Sequence, residues 1–413
     1  MKRKILTLVL ILIATQFSFA QLSPVITSWI INTTGATGYD GIESNVQIVQ
    51  YDDSNVYVSA TCIPGYDIGP WDGDPNVPVN QNFVLEIPRY PKPNTGTLTA
   101  VGLGHVGVWS NGVSIFNASD GMSYNNLGYW HRNAYYFEGE SFDSCLGHAQ
   151  QQGEYHHHCN PRCLYNDADS THHSPIIGYA FDGFPIYGAY GFANANGTGG
   201  IKRMRSSYQL RKMVNRDTLA NGTVLNSADY GPAVSVSYPL GDFMEDYQYV
   251  ANSGDLDANN GRFCITPDYP SGIYAYFVTI DSTLTPVYPY VLGADYFGTV
   301  QTADIGQGSG HVTITDSTTV YTTTGIAPIN NTIKFMFTPN PVSTYGYIYF
   351  DPSSPNNIVG TIYNLKGELI RTIKNLQPSI SYAINMTDYA PGVYFLHLTS
   401  GNQEVIQKII KIK

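Results

Sequence analysis

Over residues 21–325 the chain alternates apolar and polar positions in short bursts, of which Val56-Tyr57-Val58-Ser59-Ala60 and Tyr274-Ala275-Tyr276-Phe277-Val278 are examples. Successive side chains of a strand point to opposite faces, so this period of two predicts strands with one face toward a core. Clusters of Asn, Gly, Asp and Pro separate the bursts and supply the turns. Sustained helical periodicity is nearly absent, and residues 21–325 read as one large meandering β domain. Residues 302–334 lose aromatics and become rich in Thr, Ser and Gly, which suits a last edge strand and then a linker at 326–334. Over residues 335–413 the alternation returns in paired segments with turns at Lys366-Gly367 and Ser400-Gly401-Asn402. The expected fold class is mainly β, a large β-rich domain followed by a small C-terminal Ig-like β-sandwich.

The first residues break this pattern. Met1-Lys2-Arg3-Lys4 precedes an apolar run at 5–14, and small residues follow at Ser18 and Ala20. A charged start, an apolar stretch and a small-residue site predict a secretory signal peptide over 1–20, with Gln21 as the new N-terminus. The run is shorter than the ~20 residues a bilayer crossing needs, so cleavage is expected rather than anchoring.

Composition sharpens the picture. Charged residues make up only 13% of the chain while it holds 33 Tyr, which favours pleated, half-buried surfaces. A formal net charge of -11 excludes a nucleic-acid partner, whose phosphates demand a basic face. The one basic group, Lys202, Arg203, Arg205, Arg211, Lys212 and Arg216, is expected to cover a short helix or loop. Cys62, Cys145, Cys159, Cys163 and Cys264 face an oxidising compartment, so disulfides are the default and the odd count leaves at least one thiol over.

Histidine is concentrated where charge is scarce. Six of the ten lie between His148 and His173. On a strand through Tyr155-His156-His157-His158, His156 and His158 share one face while Tyr155 and His157 share the other. Two imidazoles so placed reach one ion, and His148, across a short Gly-bounded loop, supplies a third ligand. Three neutral imidazoles suit zinc or copper. His131 and His173 are reserve ligands, His172 is expected in solvent, and His105, His311 and His397 are read as structural or surface residues. A mixed knot of Cys145 and His148 with Cys159 and Cys163 has passable spacing, but export makes disulfides the better reading of those sulfurs. Asp143 and Asp182 are the carboxylates placed to orient an imidazole or move a proton, though Asp182, in a Gly and Pro turn, is as readily a partner of its own backbone. The segment 255–261 carries alternating oxygen side chains that suggest calcium, with its Gly one place late for an EF-hand loop.

The run DSCLGH with GEYHHHCNP, then HHSPIIGYAFDGFPIYGAYG and LDANNGRFCITPDYPSGIYAYFVTIDS, resembles the YHYH-domain family. The earlier LGHVGVWSNGVSIFN and YWHRNAYYFEGESFD also fit it, so the resemblance spans residues 28–300. His157 stands where the family has its second Tyr, which leaves both His positions of the motif intact. Pro339-Asn340-Pro341, Asn364-Leu365-Lys366-Gly367, Gly392-Val393-Tyr394-Phe395 and the basic last strand, in that order, resemble the type A sorting domain of the type IX secretion route of Gram-negative bacteria. That resemblance implies passage across the outer membrane by the type IX machinery, removal of 335–413 by its sortase, and attachment to lipopolysaccharide or release. Two other function classes remain beside a metal-binding domain: a glycan-binding or adhesion module presenting Trp71, Trp109, Trp130 and tyrosines, and a structural envelope protein. Whether a metal site is catalytic does not follow from the sequence.

Overall fold

A computed structural model of the chain describes residues 22–71, 73–322, 333–350, 354–378, 381–401 and 403–413. The expected signal peptide at 1–20, and 326–332 of the expected linker, lie outside them. The chain divides into two compact units, Met1–Thr322 and Thr323–Lys413. Both are mainly β, and the two α-helices among the described residues have four residues each. No helix among these residues is long and apolar enough to cross a membrane.

The larger unit is built on two sheets. One has four strands in the order Thr319–Val320, Val46–Tyr51, Asn55–Ala60, Phe83–Pro88. The other has eight, in the order Gly261–Cys264, Ile273–Phe277, Pro185–Tyr187, Ile176–Ala180, His105–Trp109, Ser114–Phe116, Tyr155–His157, His148–Ala149. At its middle, His105–Trp109 and Ile176–Ala180 are buried at every position, which is why these stretches carry Val, Ile, Ala and Tyr rather than charge. Val49, Val58 and Leu85 of the first sheet meet Val108, Ile115, Tyr179 and Tyr276 of the second in one core. The basic group does not form one covering element. Lys202 and Arg203 lie on the Ile201–Arg203 strand, Lys202 and Arg205 pair with Asp255, and Arg216 is buried against Asp246.

Asp182 shows how the turns of this sheet are fixed. It is fully buried and accepts hydrogen bonds from Phe184 N (3.2 Å), Tyr276 Oη (2.6 Å) and Gly298 N (2.8 Å). Burial outweighs these donors and pushes its carboxyl up to about 6. The folded unit therefore binds an extra proton between the ordinary value of 3.8 and about 6, and stability is present below that window and lost as pH rises through it. Asp182→Asn is expected to flatten this part of the profile, worth on the order of 3 kcal/mol across the window. Thermal melts from pH 4 to 7 check it, and an unchanged slope in the variant contradicts it.

The smaller unit places Phe335–Thr338, Tyr345–Phe350 and Tyr382–Asn385 in one antiparallel sheet. Leu369–Leu376, Ile358–Asn364, Gly392–Ser400 and Gln403–Lys411 form a second, also antiparallel. Phe337 and Ile348 from the first and Ile362, Leu396 and Leu398 from the second share a core, so the unit is a β-sandwich. Its hairpin at Lys366-Gly367 is closed by Asn364, whose backbone N–H meets Glu368 O at 3.0 Å and whose carbonyl accepts from Gly367 N at 3.0 Å.

Candidate metal centre

The three histidines singled out in sequence come together for a topological reason. His148–Ala149 and Tyr155–His157 are antiparallel neighbours, with His148 directly opposite His156. Cross-strand partners share a face, and His158 returns to that face two residues on. The connecting turn is closed by Gly153 N to Gln150 O (2.8 Å). Gly153 has φ 74°, and a Cβ there would lie 2.8 Å from Val77 O, so glycine alone fits. Asp143 holds the other end. Its Oδ1 accepts from Cys145 N (2.9 Å) and Gly147 N (3.1 Å), and its Oδ2 from Gly69 N (2.9 Å) and Tyr155 Oη (2.9 Å). Asp143 thus fixes the loop that delivers His148 rather than touching an imidazole, and Tyr155 reaches it from the opposite face of the strand. A Cys145–Cys163 disulfide encloses the whole hairpin.

The ring nitrogens decide what the cluster can do. His156 Nδ1 donates to Glu154 O (3.1 Å) and His158 Nδ1 to Asn117 O (2.6 Å), carbonyls that only accept. Ser141 Oγ donates to Glu138 O (2.7 Å) and so accepts from His148 Nδ1 (2.8 Å). Each neutral imidazole therefore carries its proton on Nδ1 and a lone pair on Nε2, an assignment made from these partners. The three Nε2 atoms face one another, His148 to His156 at 3.1 Å and His156 to His158 at 3.0 Å. With all three rings neutral, lone pair faces lone pair, which is not a hydrogen bond, and a metal ion between them or a proton on one Nε2 would relieve it. Glu138 Oε2 completes the group at 3.2 Å from His148 Nε2 and 3.1 Å from His158 Nε2. All four donor atoms lie within 4.8 Å of one another.

Surroundings reinforce this charge pattern. Phe116 stacks on the His156 ring at 4.0 Å, and Phe142 lies edge-on to His148 at 4.9 Å, so the rings are held in plane as well as by their Nδ1 bonds. Burial, then the adjacent His148 and His158 rings, pushes His156 well below the ordinary imidazole value. For His158 burial opposes protonation, but the Glu138 carboxylate outweighs it and raises the ring. Burial likewise opposes charge on Glu138, and the His158 and His148 rings override it and hold the carboxyl well below its usual range. The four residues line one side of an open cleft of about 440 Å³.

The remaining candidates lie elsewhere. His131 Nδ1 pairs with Glu245 (2.6 Å), and His173 Nδ1 bonds Ser174 O (2.7 Å) against Tyr187 and Phe192. His105 is buried against Glu154, and His172 stands in solvent beside Asp169. His157 points to the opposite face of its strand, and burial pushes it down to about 3. Asp182 meets no imidazole in the hydrogen bonds described above. In the segment considered for calcium, Asp257 Oδ1 accepts from Asn259 N (2.9 Å), Gly261 N (3.1 Å) and Tyr274 Oη (2.9 Å), while Asp255 faces Lys202 and Arg205. Those oxygens serve the turn. Trp109 and Trp130 are core residues, and Trp71 is half-buried between Tyr39 and Tyr155, so the three do not make an exposed aromatic platform. One disulfide forms rather than two: Cys62, Cys159 and Cys264 are free and buried, and burial pushes the Cys159 thiol up to about 12. Glu138 was not singled out in sequence, although it lies in the quoted stretch YWHRNAYYFEGESFD.

Residues 84–289 match the family described as YHYH protein. The larger unit carries a YHYH domain. All four cluster residues fall inside the matched span, as does the hairpin that aligns His156 with His148. Residues 337–413 match the secretion system C-terminal sorting domain, which places the chain on the type IX secretion route and at the outer cell surface or beyond it in a Gram-negative bacterium. No curated protein matches the chain. Among solved structures, the crystal structure of dimeric latent PorU from Porphyromonas gingivalis is similar at 20% identity and a TM-score of 0.16, over 19% of this chain and 9% of that one.

Proposed function

We propose that the YHYH domain is an exported metal-binding domain that holds one copper or zinc ion through His148, His156 and His158, with Glu138 as a fourth ligand. The observation that carries this reading is the convergence of three Nε2 lone pairs whose tautomers are fixed by Nδ1 bonds to oxygen. A tetrahedral ion with ~2.0–2.1 Å bonds to nitrogen has ligand–ligand edges of ~3.3–3.4 Å. Four of the six spacings, around the ring His148–His156–His158–Glu138, are 3.0–3.2 Å, near that value, and all six lie within 4.8 Å. Three imidazoles and a carboxylate with no thiolate suit copper(II) or zinc(II), and disfavour the softer copper(I).

Quantifying bound metal in the exported chain, prepared without a His tag, tests the proposal. One ion of copper or zinc per chain is expected after exposure to either metal, and a well-folded chain that stays metal-free sinks it. For the sorting domain we propose the outcome its type implies, removal by a sortase with attachment of the mature part to lipopolysaccharide or release. A surface-located chain that keeps residues 335–413 contradicts this.

A further inference from the structure

Glu138 is held differently from the imidazoles it faces. Each imidazole is fixed by an Nδ1 hydrogen bond, and the Phe116 and Phe142 rings pack against them. Among the hydrogen bonds and ion pairs of the described residues, the Glu138 carboxylate meets only His148 and His158, with no hydroxyl, amide, Lys or Arg to hold it. Its side chain is 26% exposed, against 9% for His148 and 4% for His158. It sits at the junction of the Ala134–Phe137 helix and the Gly139–Ser141 turn, and around Gly139 there is open space where a side chain would go. The cleft beside it is charged only by carboxylates, Asp74, Glu138 and Glu140, while Asn76, Gln150 and Gln307 offer uncharged hydrogen-bonding groups.

We infer that Glu138 is the exchangeable ligand of this centre, and that the group replacing it from the cleft is a neutral nitrogen or oxygen donor such as an imidazole or a hydroxyl. This rests on the metal-binding reading above. The step is a ligand substitution: the metal–oxygen bond to Glu138 breaks, a bond to the incoming lone pair forms, and neither electrons nor protons are transferred. The departing carboxylate stays in the cleft beside Asp74 and Glu140, and the three together repel an incoming anion. The imidazoles, locked at Nδ1, keep the ion in place during the exchange.

The test uses the full chain loaded with cobalt(II), whose visible spectrum reports its ligands, and imidazole and azide as the probes. Glu138→Ala is expected to keep cobalt, bound more weakly than by wild type, whereas His156→Ala loses it. Glu138→Ala should also bind imidazole at least ~10-fold more tightly than wild type, because no carboxylate competes for the position. Adding Glu140→Gln to Glu138→Ala should raise azide affinity about threefold at low ionic strength and leave imidazole affinity unchanged. Cobalt lost as completely from Glu138→Ala as from His156→Ala makes Glu138 a permanent ligand and overturns the inference, as does imidazole affinity equal to wild type. Azide affinity unmoved by Glu140→Gln overturns the ligand class. A wild-type chain that takes up no cobalt, copper or zinc overturns the metal-binding reading itself and this inference with it.

Discussion

Replacing both His156 and His158 by Ala will remove the bound metal while leaving the fold in place. The two side chains supply two of three converging nitrogens, and His148 and Glu138 alone leave a carboxylate and one imidazole on different segments. Loss of a mere outer hydrogen-bond partner costs ~10–100-fold in metal affinity, and loss of two ligands will cost more. The fold survives because Tyr155, on the other face, still bonds Asp143, and the Cys145–Cys163 disulfide still encloses the hairpin. His157→Phe is the matched control. Its two ring nitrogens are buried without a hydrogen-bond partner among the described residues, so an apolar ring removes no hydrogen bond. Metal analysis with circular dichroism reads both variants: metal absent from the double variant and present in His157→Phe is the expected result, and the reverse refutes the assignment of faces.

The second large effect is on stability, and it falls far from the histidines in sequence. Arg216 and Asp246 are both fully buried, joined by Nε to Oδ1 and Nη2 to Oδ2 bonds of 2.7 Å each. Pro232 O and Pro239 O, each at 2.8 Å, take further guanidinium hydrogens, and the Phe243 ring lies 4.7 Å away. Asp246→Ala leaves this cation buried with no counter-charge, which costs about 3–5 kcal/mol. That is a large part of the ~5–15 kcal/mol that stabilises a typical domain. The damage also has a route to the metal centre. The loop that Asp246 closes supplies Gly241 O and Asp242 O to Asn133, and Asn133 caps the short helix that ends beside Glu138. Denaturant melts should show the midpoint falling, and any metal affinity that survives should drop through Glu138. A variant as stable as wild type contradicts the reading of a tight charge pair.

What could be read from the chain follows from which signals are local. Alternation in segments such as 56–60 and 274–278 predicts strands because the period of two is imposed within each segment, and Asn55–Ala60 and Ile273–Phe277 are strands. The shared face of His156 and His158 is local in the same sense. His148 is placed by register, and a short turn between the strands is enough to anticipate it. Glu138 reaches the cluster from the end of the Ala134–Phe137 helix, which packs against the Ser119–Ser123 and His131–Asn133 strands, a tertiary placement no periodicity announces. The cysteines fail for the same reason. Cys145 and Cys163 meet at a Cα–Cα distance of 5.2 Å across the ends of the hairpin, while Cys62, Cys159 and Cys264 lie buried as separate free thiols, and spacing alone does not separate these outcomes. Asp143 and Asp182 are recognisable as important carboxylates, and Asp182 bonds the backbone of its own turn as its Gly and Pro context allows, whereas the Tyr155 and Tyr276 hydroxyls that meet Asp143 and Asp182 are partners a sequence does not display.

The most direct test of the metal centre is an anomalous-difference map from crystals of the metal-loaded chain, collected at the absorption edge of zinc or copper. A single strong peak is expected ~2.0–2.1 Å from Nε2 of His148, His156 and His158, with Glu138 or a molecule from the cleft completing the coordination. A peak on Nδ1 atoms, a peak at His131 or His173, or no peak within reach of the three Nε2 atoms would contradict it.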